Sequence, residues 1–293
     1  ATNISSHAII LAGNRTSIRG FTLLGSPTGR LSAEDQMGIS LHFTDGSTVQ
    51  DNVVRGTSSA GIFIWGASNY VVRNNTVEDT KSDGIHSVAG ANHGLVEGNT
   101  LRNVGDDCFA VISYVPEREM SHDIVIRNNS CTGGKARGVS VAGGVNVRIE
   151  NNTIVSSAAA GIYLASDSSY DTWGAQSVQV IGNKLQGVNT NSAVRHGAIF
   201  LWSRAGSATT ADGVSYSYEN RDITLSGNVI TDTKNGAADI VAISPFGSRI
   251  SFSGNTSTGS RPYSYFELAG NRYNVVGGTH NGEVVPDHIG DAS

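Results

Sequence analysis

Short stretches in which apolar and polar residues alternate recur along the chain, and each contains an asparagine. The first three are TVQDNVV at 48–54, VVRNNTV at 71–77 and LVEGNTL at 95–101. The asparagines of the eight stretches are Asn52, Asn75, Asn99, Asn129, Asn152, Asn183, Asn228 and Asn255. Alternation with a period of two predicts β-strands rather than helices. The asparagines stand 23, 24, 30, 23, 31, 45 and 27 residues apart, and a base period near 23 with insertions is typical of a solenoid.

A second apolar stretch begins nine residues after five of these asparagines. The five are GIFIW at 61–65, GIHSV at 84–88, CFAVI at 108–112, GVSVA at 138–142 and GIYLA at 161–165. Two or three short strands per 23 residues, without a helical pattern between them, predict one coil of a right-handed parallel β-helix. We therefore expect an all-β solenoid, a single domain over residues 1–293, and an asparagine ladder that is hydrogen-bonded from coil to coil.

The composition agrees with this fold and excludes other classes. The chain has 36 glycines, where average usage gives roughly 20, and glycine supplies the left-handed backbone of tight turns. Charged residues make up 15% and the net charge is -5, which argues against a helical bundle and against a nucleic-acid partner. No apolar run is long enough to span a membrane. The first predicted strand starts close to residue 1 without a cap, so we expect an additional domain or subunit to cover the end of the solenoid.

The two cysteines, Cys108 and Cys131, are too few for a disulfide framework and lack the spacing of metal ligands. The favoured interpretation is that both are small buried residues, and one bridge between them is the alternative. A chain that begins at Ala1 without a methionine suggests a processed or truncated polypeptide.

Three aspartates converge when the coils are aligned. Equivalent positions of neighbouring coils stack about 4.8 Å apart. The position eight residues after the ladder asparagine carries, in successive coils, Ala60, Asp83, Asp107, Arg137 and Ala160, and the position before it carries Asp106. Carboxylates held this close raise one another's pKa and favour sharing a proton or a cation. Aspartate also favours turns, which explains one aspartate but not three aligned ones, so we predict a functional site at Asp83, Asp106 and Asp107.

Aromatic side chains are predicted to point outward beside this site. The outward set contains Phe63, Trp65, His86, Tyr163, Phe200 and Trp202. Long insertions at 114–122, 166–175 and 203–221 follow the second strand, and another at 189–196 precedes it. Loops on both sides of one sheet predict the walls of a cleft for an elongated ligand. We expect the outward set, together with Lys135, Arg137 and His196, to contact a polysaccharide or oligosaccharide substrate.

The segments SDG at 82–84 and GDDC at 105–108 resemble the N-T-D-G and G-D-D-C motifs of polygalacturonase-type glycoside hydrolases. Those enzymes are right-handed parallel β-helices that cleave with inversion. Their G-H-G motif would fall near Gly138, where this chain has KARG at 135–138, and no R-I-K motif follows. Three aspartates without that histidine are more similar to the α-1,3-glucanase and mycodextranase family, which is also β-helical.

The resemblance implies a secreted, inverting glycoside hydrolase that degrades a polysaccharide and uses no cofactor or metal. It implies that Asp106 protonates the glycosidic oxygen and that Asp83 and Asp107 activate the attacking water. Acid and base of an inverting pair are separated by about 6.5–9.5 Å, and neighbouring carboxylates supply the raised pKa that the acid needs.

Two other functions are compatible with the same residues. A polysaccharide lyase of this fold would use the three aspartates to hold Ca²⁺ against a uronate, with Arg137 or Lys135 as the base. A tailspike-like or adhesin β-helix would bind glycans through its aromatic residues without turnover.

Overall fold

A computed structural model of the chain describes residues 9–27, 29–31, 36–243, 247–248, 250–268 and 272–290. Within these residues the chain winds through three parallel sheets, A, B and C, and each coil contributes one short strand to each sheet along most of the stack. This is the parallel β-helix that the repeat predicts. The limits of the predicted single domain, residues 1 and 293, lie outside the described residues.

The strands of each sheet pair with their equivalents in the preceding and following coils. Sheet A consists of Ile9–Leu11, Ile39–His42, Ile62–Trp65, Ile85–Val88, Phe109–Ile112, Val139–Ala142, Ile162–Ala165, Ile199–Trp202, Ile240–Ile243 and Ser264–Glu267. Sheet B consists of Ser17–Arg19, Thr48–Gln50, Val71–Arg73, Asn92–Glu97, His122–Arg127, Gly144–Glu150, Ala175–Gln176, Gln179–Ile181, Thr224–Ser226, Ile250–Ser253, Tyr273–Val276 and His288–Ile289. Sheet C consists of Thr22–Leu24, Val53–Arg55, Thr76–Glu78, Thr100–Arg102, Ser130–Thr132, Thr153–Val155, Lys184–Gln186, Val229–Thr231, Thr256–Thr258, Thr279–His280 and Glu283–Val284. Outside these sheets are the 3-10 turn Val115–Glu117 and a hairpin of Ser207–Thr209 with Ser215–Ser217.

Each alternating stretch around a ladder asparagine is two strands rather than one. Thr48–Gln50 belongs to sheet B and Val53–Arg55 to sheet C, and the residue before the asparagine has a left-handed backbone, with φ of 56° at Asp51 and 66° at Gly98. Only glycine, asparagine and aspartate adopt this conformation readily, and the described coils place only these residue types there. The left-handed residue ends one strand and turns the chain into the next sheet, so the alternation continues across a corner.

The eight predicted asparagines form a continuous ladder at this corner. The side-chain amide of Asn52 donates to the side-chain oxygen of Asn75, and each ladder asparagine as far as Asn228 donates likewise to the next one, at 2.8–3.0 Å. Each accepting oxygen also receives the backbone N–H of the preceding asparagine. Each side-chain amide donates its second hydrogen to a backbone carbonyl of the preceding coil. The predicted ladder is therefore confirmed, and its buried amides are satisfied, as burial requires.

The inward side chains of the three sheets fill one aliphatic core. In sheet A, Ile62, Ile64, Val139 and Val141 are fully buried, in agreement with the predicted alternation. The outward side chains between them start a second layer, on which the long loops pack.

Cys108 and Cys131 form a disulfide with a Cα–Cα distance of 6.3 Å, so the prediction of two unbridged cysteines is wrong. The residues lie 23 positions apart, whereas one full coil at this point is longer and brings Phe109 beside Val139. They occupy different positions of the repeat, one before sheet A and one in sheet C. Aligning equivalent positions of the coils, which form the columns of the repeat, therefore does not pair them.

The last described strands run against the direction of the stack. His288–Ile289 is antiparallel to Tyr273–Val276, and Glu283–Val284 is antiparallel to Thr279–His280. These strands cover the edges of sheets B and C. Among the described residues, no helix has the length and apolar character needed to cross a membrane.

Replacing Asn129 by alanine should lower the free energy of unfolding by about 3 kcal/mol, because the buried N–H of Asn99 and the amides on either side lose their partners. Urea unfolding followed by circular dichroism measures the change. Asn191→Ala, at an exposed loop asparagine, is the control and should change the free energy by less than about 1 kcal/mol. Equal unfolding midpoints for the two variants would contradict the importance of the ladder.

Candidate active site

Asp83, Asp106 and Asp107 lie on two neighbouring coils, where the chain enters sheet A. The backbone N–H of Gly84 donates to the Asp107 carbonyl at 2.9 Å, and that of Asp106 donates to the Ser82 carbonyl at 3.1 Å. This is the register predicted from the repeat. One carboxylate oxygen of each aspartate lies within 4.8 Å of those of the other two, so the stack brings the three acids into one cluster.

Two of these carboxylates are held by the backbone of the next coil. An Asp83 oxygen accepts the N–H of Asp107 at 3.0 Å, and an Asp107 oxygen accepts the N–H of Arg137 at 2.8 Å. Both side chains are therefore recessed, with only 11% and 6% of their surface exposed, whereas that of Asp106 is 23% exposed. Asp106 is the member of the cluster that a ligand meets first.

Two arginines neutralise the outer part of the cluster. The Arg30 guanidinium lies 2.6 Å from an Asp106 oxygen. The Arg137 guanidinium lies 3.3 Å from Asp107, 3.8 Å from Asp106 and 3.9 Å from Asp167. Arg137 thus bridges three carboxylates from the coils on either side of its own.

His86 is the partner of the third carboxylate. Its Nδ1 lies 2.8 Å from an Asp83 oxygen, and its ring packs edge-on against Phe63, with 5.3 Å between the ring centroids. The Nε2 atom of His86 is buried without a hydrogen-bond partner. Each carboxylate of the cluster therefore has its own basic neighbour.

The surroundings separate the pKa values of the three acids. Burial raises the pKa of Asp107 to about 7, with a further increase from the other two carboxylates and opposition from Arg137. Burial and the charge of Asp83 also raise the pKa of Asp106, against the neighbouring guanidinium groups. Burial acts on Asp83 in the same direction, but its hydrogen bond to His86 and the charge of that histidine dominate and lower the pKa. The environment therefore favours the ionised form of Asp83 and the protonated forms of Asp106 and Asp107.

The cluster forms the floor of a cleft that crosses sheet A. Arg30, Asp83, His86 and Tyr114 border both parts of the cleft. Residues that border only the part towards the N-terminal coils include Met37, Phe63, Trp65 and Glu117. Residues that border only the other part include Arg137, Ser140, Tyr163, Asp167 and Tyr170. The cleft therefore extends over several coils, perpendicular to the strands.

Two of the predicted insertions pack together into one wall of the cleft, and the third joins them. The Val115 N–H donates to the Asp171 carbonyl at 2.7 Å, and Arg204 forms an ion pair with the carboxylate of Asp171. The fully buried Trp173 donates its indole N–H to the Ala208 carbonyl at 3.2 Å. These contacts fix the loop that carries Tyr114 into the cleft.

The predicted aromatic residues nearest the cluster border the cleft but are largely covered. Phe63 is 9% exposed and Tyr163 is 5% exposed, whereas Trp65 is more accessible. The Arg137 guanidinium lies 4.4 Å above the ring of Tyr163. These side chains therefore shape the walls of the cleft and offer little exposed ring surface.

Other predicted contacts lie further from the carboxylates. His196 stacks on Phe200 at 4.3 Å between centroids, and burial together with Arg137 lowers the pKa of His196 to about 4. Phe200 and Trp202 pack beside Tyr163 as partly buried residues and are not among the described cleft-lining residues.

Lys135 is not brought to the cleft. Its side chain is exposed and borders a separate depression with Lys81 and Asn103. Arg137, two residues before the sheet-A strand, borders the cleft, but Lys135, two positions earlier, borders the other depression.

Arg30, Tyr114 and Asp167 also line the cleft and are missed by the sequence analysis. Tyr114 and Asp167 fall in the insertions predicted to form a wall, so loop membership is a weak signal for both. Arg30 reaches Asp106 across 76 residues, and no pattern in the sequence indicates that contact.

The family model of the right handed beta helix region matches residues 7–185, so the chain belongs to this family. The predicted right-handed winding is thereby confirmed. No curated protein matches the sequence.

Several solved structures share the fold. The catalytic unit of a GH87 α-1,3-glucanase from Streptomyces thermodiastaticus is 22% identical, with a TM-score of 0.58 over 87% of this chain and 51% of that chain. A mannuronan C-5 epimerase A-module from Azotobacter vinelandii is 20% identical, with a TM-score of 0.62 over 91% and 74%. A family 28 exopolygalacturonase from Yersinia enterocolitica is 16% identical, with a TM-score of 0.57 over 85% and 48%. The chain thus spans about half the length of the two hydrolases, and at these identities the likeness establishes the fold.

Replacing Asp107 by asparagine should stabilise the protein at pH 8 by about 1–2 kcal/mol. The folded-state pKa of Asp107 is raised to about 7, so above that pH the native state holds a buried charge that the unfolded state solvates better. At pH 5 Asp107 is already protonated when folded, and the gain should shrink. Urea unfolding at both pH values measures it, with the exposed Asp79→Asn as control; a gain that does not depend on pH would contradict the assignment.

Proposed function

We propose that the protein is a glycoside hydrolase that cleaves a polysaccharide bound across sheet A, with Asp83, Asp106 and Asp107 as its catalytic residues. The observation that carries the proposal is the carboxylate cluster on the cleft floor, in which the pKa of one acid is lowered and the pKa values of its two neighbours are raised. Glycosidic cleavage needs this combination of a proton donor and an ionised carboxylate flanking one bond.

The spacing of the three aspartates supports this proposal. Catalytic domains of GH87 α-1,3-glucanase have been solved with single aspartate-to-alanine substitutions and with bound nigerose or tetrasaccharides. The three substituted positions stand at the same intervals as Asp83, Asp106 and Asp107, one coil apart and then adjacent. We infer that the three aspartates of this chain act on a glycan in an equivalent place.

We assign the role of general acid to Asp106, because it is the most accessible of the three and has a raised pKa. The substrate must take the place of Arg30, whose guanidinium occupies the Asp106 carboxylate in the free protein. Asp83 and Asp107 then activate the attacking water: the ionised Asp83 accepts its proton, and Asp107 holds it in position.

The depth of these two carboxylates supports an inverting mechanism. Their nearest oxygens lie within 4.8 Å of Asp106, which is shorter than the roughly 6.5–9.5 Å of typical inverting pairs. However, both are recessed and hold backbone N–H groups, so they reach the anomeric carbon through a water more readily than by direct attack. Proton NMR of the first product formed should therefore show the anomeric configuration opposite to that of the substrate.

The contacts of the arginine and lysine disfavour the lyase alternative. The pKa of Arg137 is raised, because Asp107, Tyr163 and Asp106 stabilise its charge more than burial destabilises it, so it stays protonated and is a poor base. Lys135 faces away from the cleft. Each of the three clustered aspartates already has a basic partner, which a calcium ion would have to displace.

The same pairing favours a neutral or weakly charged glycan as substrate. Among the described residues that line the cleft, Arg30, His86 and Arg137 all face aspartates, so a uronate would have to compete with these contacts. The disulfide between Cys108 and Cys131 supports secretion, because such bonds persist in oxidising compartments.

Asp106→Asn should lower turnover by about 10³-fold or more, since general acid catalysis contributes up to about 10⁴-fold. A panel of neutral and acidic polysaccharides, assayed for reducing ends and for unsaturated products, measures it. Asp79→Asn serves as the matched control, with turnover close to that of the wild type. Turnover that survives Asp106→Asn would overturn the proposed role, and unsaturated products lost with chelator would identify a lyase. Glycan binding without turnover by the wild type would identify a tailspike-like binder.

The pH profile of kcat/KM should be bell-shaped. Activity should fall at high pH, where the general acid Asp106 loses its proton from a raised pKa, and also at low pH, where Asp83 becomes protonated. His86→Gln keeps a hydrogen-bond donor but removes the charge that lowers the pKa of Asp83, so the acid limb should move to higher pH. His280→Gln, which alters a histidine outside the described cleft, should leave both limbs in place; an unmoved acid limb in His86→Gln would contradict the role given to this histidine.

A further inference from the structure

We propose that the corner between sheets A and B carries a separate site, which binds a divalent metal ion through His93, His122 and Asp123. One ligand atom of each residue lies within 4.8 Å of those of the other two. His122 is paired with Asn92 across neighbouring coils, and this register places Asp123 opposite His93. None of the three lines the described cleft, so this site is independent of the carboxylate cluster.

The distances between ligand atoms suit a small tetrahedral ion. The Nδ1 atom of His122 lies 2.6 Å from one Asp123 oxygen, and the Nε2 atom of His93 lies 3.7 Å from the same oxygen. Metal–ligand bonds of about 2.0–2.2 Å place neighbouring ligand atoms of a tetrahedral zinc roughly 3.3 Å apart. The observed distances bracket that value, so small side-chain rotations complete the site.

Two of the atoms that would not bind the metal, one on His93 and one on Asp123, are anchored by other contacts. The Asn92 side-chain amide donates to the Gly90 carbonyl at 2.7 Å, which leaves its oxygen facing His93 Nδ1 at 2.8 Å. Because that oxygen can only accept, the proton of neutral His93 resides on Nδ1 and the lone pair on Nε2 points to Asp123. Asn146 donates to the second Asp123 oxygen. Such outer contacts are typical of residues that hold metal ligands in place.

The ligand set identifies the class of metal. Two imidazole nitrogens and one carboxylate oxygen suit Zn²⁺ and its neighbours in the first transition row, with a fourth position left for water. Calcium and magnesium prefer sets composed of oxygen. The ion would join two adjacent coils directly after the loop that carries Tyr114, and would therefore stabilise that wall of the cleft.

Calorimetric titration of the untagged, chelator-treated chain with zinc chloride tests the site. We expect one saturable zinc site per chain and a higher melting temperature in the presence of zinc. His93→Asn and Asp123→Asn should each weaken binding at least tenfold and abolish the thermal shift. Asparagine suits the left-handed backbone of both positions, with φ of 49° and 54°, so both variants should fold.

Two controls separate this site from other zinc ligands. Asp222→Asn alters an aspartate with a similar left-handed backbone, φ 55°, at the same corner of a later coil, and Asp106→Asn alters the carboxylate cluster. Both should retain wild-type zinc affinity. Absence of saturable binding in the wild type, or equal affinity in all four variants, would overturn the proposal; loss of binding in Asp106→Asn alone would assign the zinc to the cleft instead.

Discussion

The parallel register of the coils is the constraint on which the rest of the structure depends. Backbone hydrogen bonds set it along three sheets, and the asparagine ladder locks it, because each ladder amide bonds both neighbouring coils. A coil that slipped by one residue would leave these buried amides unpaired and would turn its core side chains outward. The same register stacks the outward side chains of equivalent positions, so residues from distant parts of the sequence come into contact.

At the carboxylate cluster the same register lowers local stability. Stacking Asp83 on Asp107 buries like charges, and the cost is offset by contacts from other coils, chiefly those of Arg137 and His86. Conflicts of this kind within an otherwise consistent fold are typical of functional sites. The disulfide begins at the residue after Asp107 and ties this segment to a strand of sheet C.

The columns of the repeat explain which predictions succeeded. The ladder, the sheet-A alternation and the aspartate register all concern equivalent positions of successive coils, which sequence alignment relates directly. The disulfide and the contact between Arg30 and Asp106 connect different columns, so they were mispredicted or missed. The exposure of the outward aromatic residues depends on how the insertions fold, and hydrophobic pattern alone carries no information on loop packing.

The sequence by itself determined the coil, the ladder and the juxtaposition of Asp83, Asp106 and Asp107, because a period near 23 residues translates linear position into spatial position. Only the tertiary structure decided the environment of those acids: which is recessed, which cation each one faces, and therefore which holds a proton near pH 7. The physical reason is that a pKa depends on burial and on charges within a few ångströms. Those neighbours come from loops and coils whose relation to the site is not periodic.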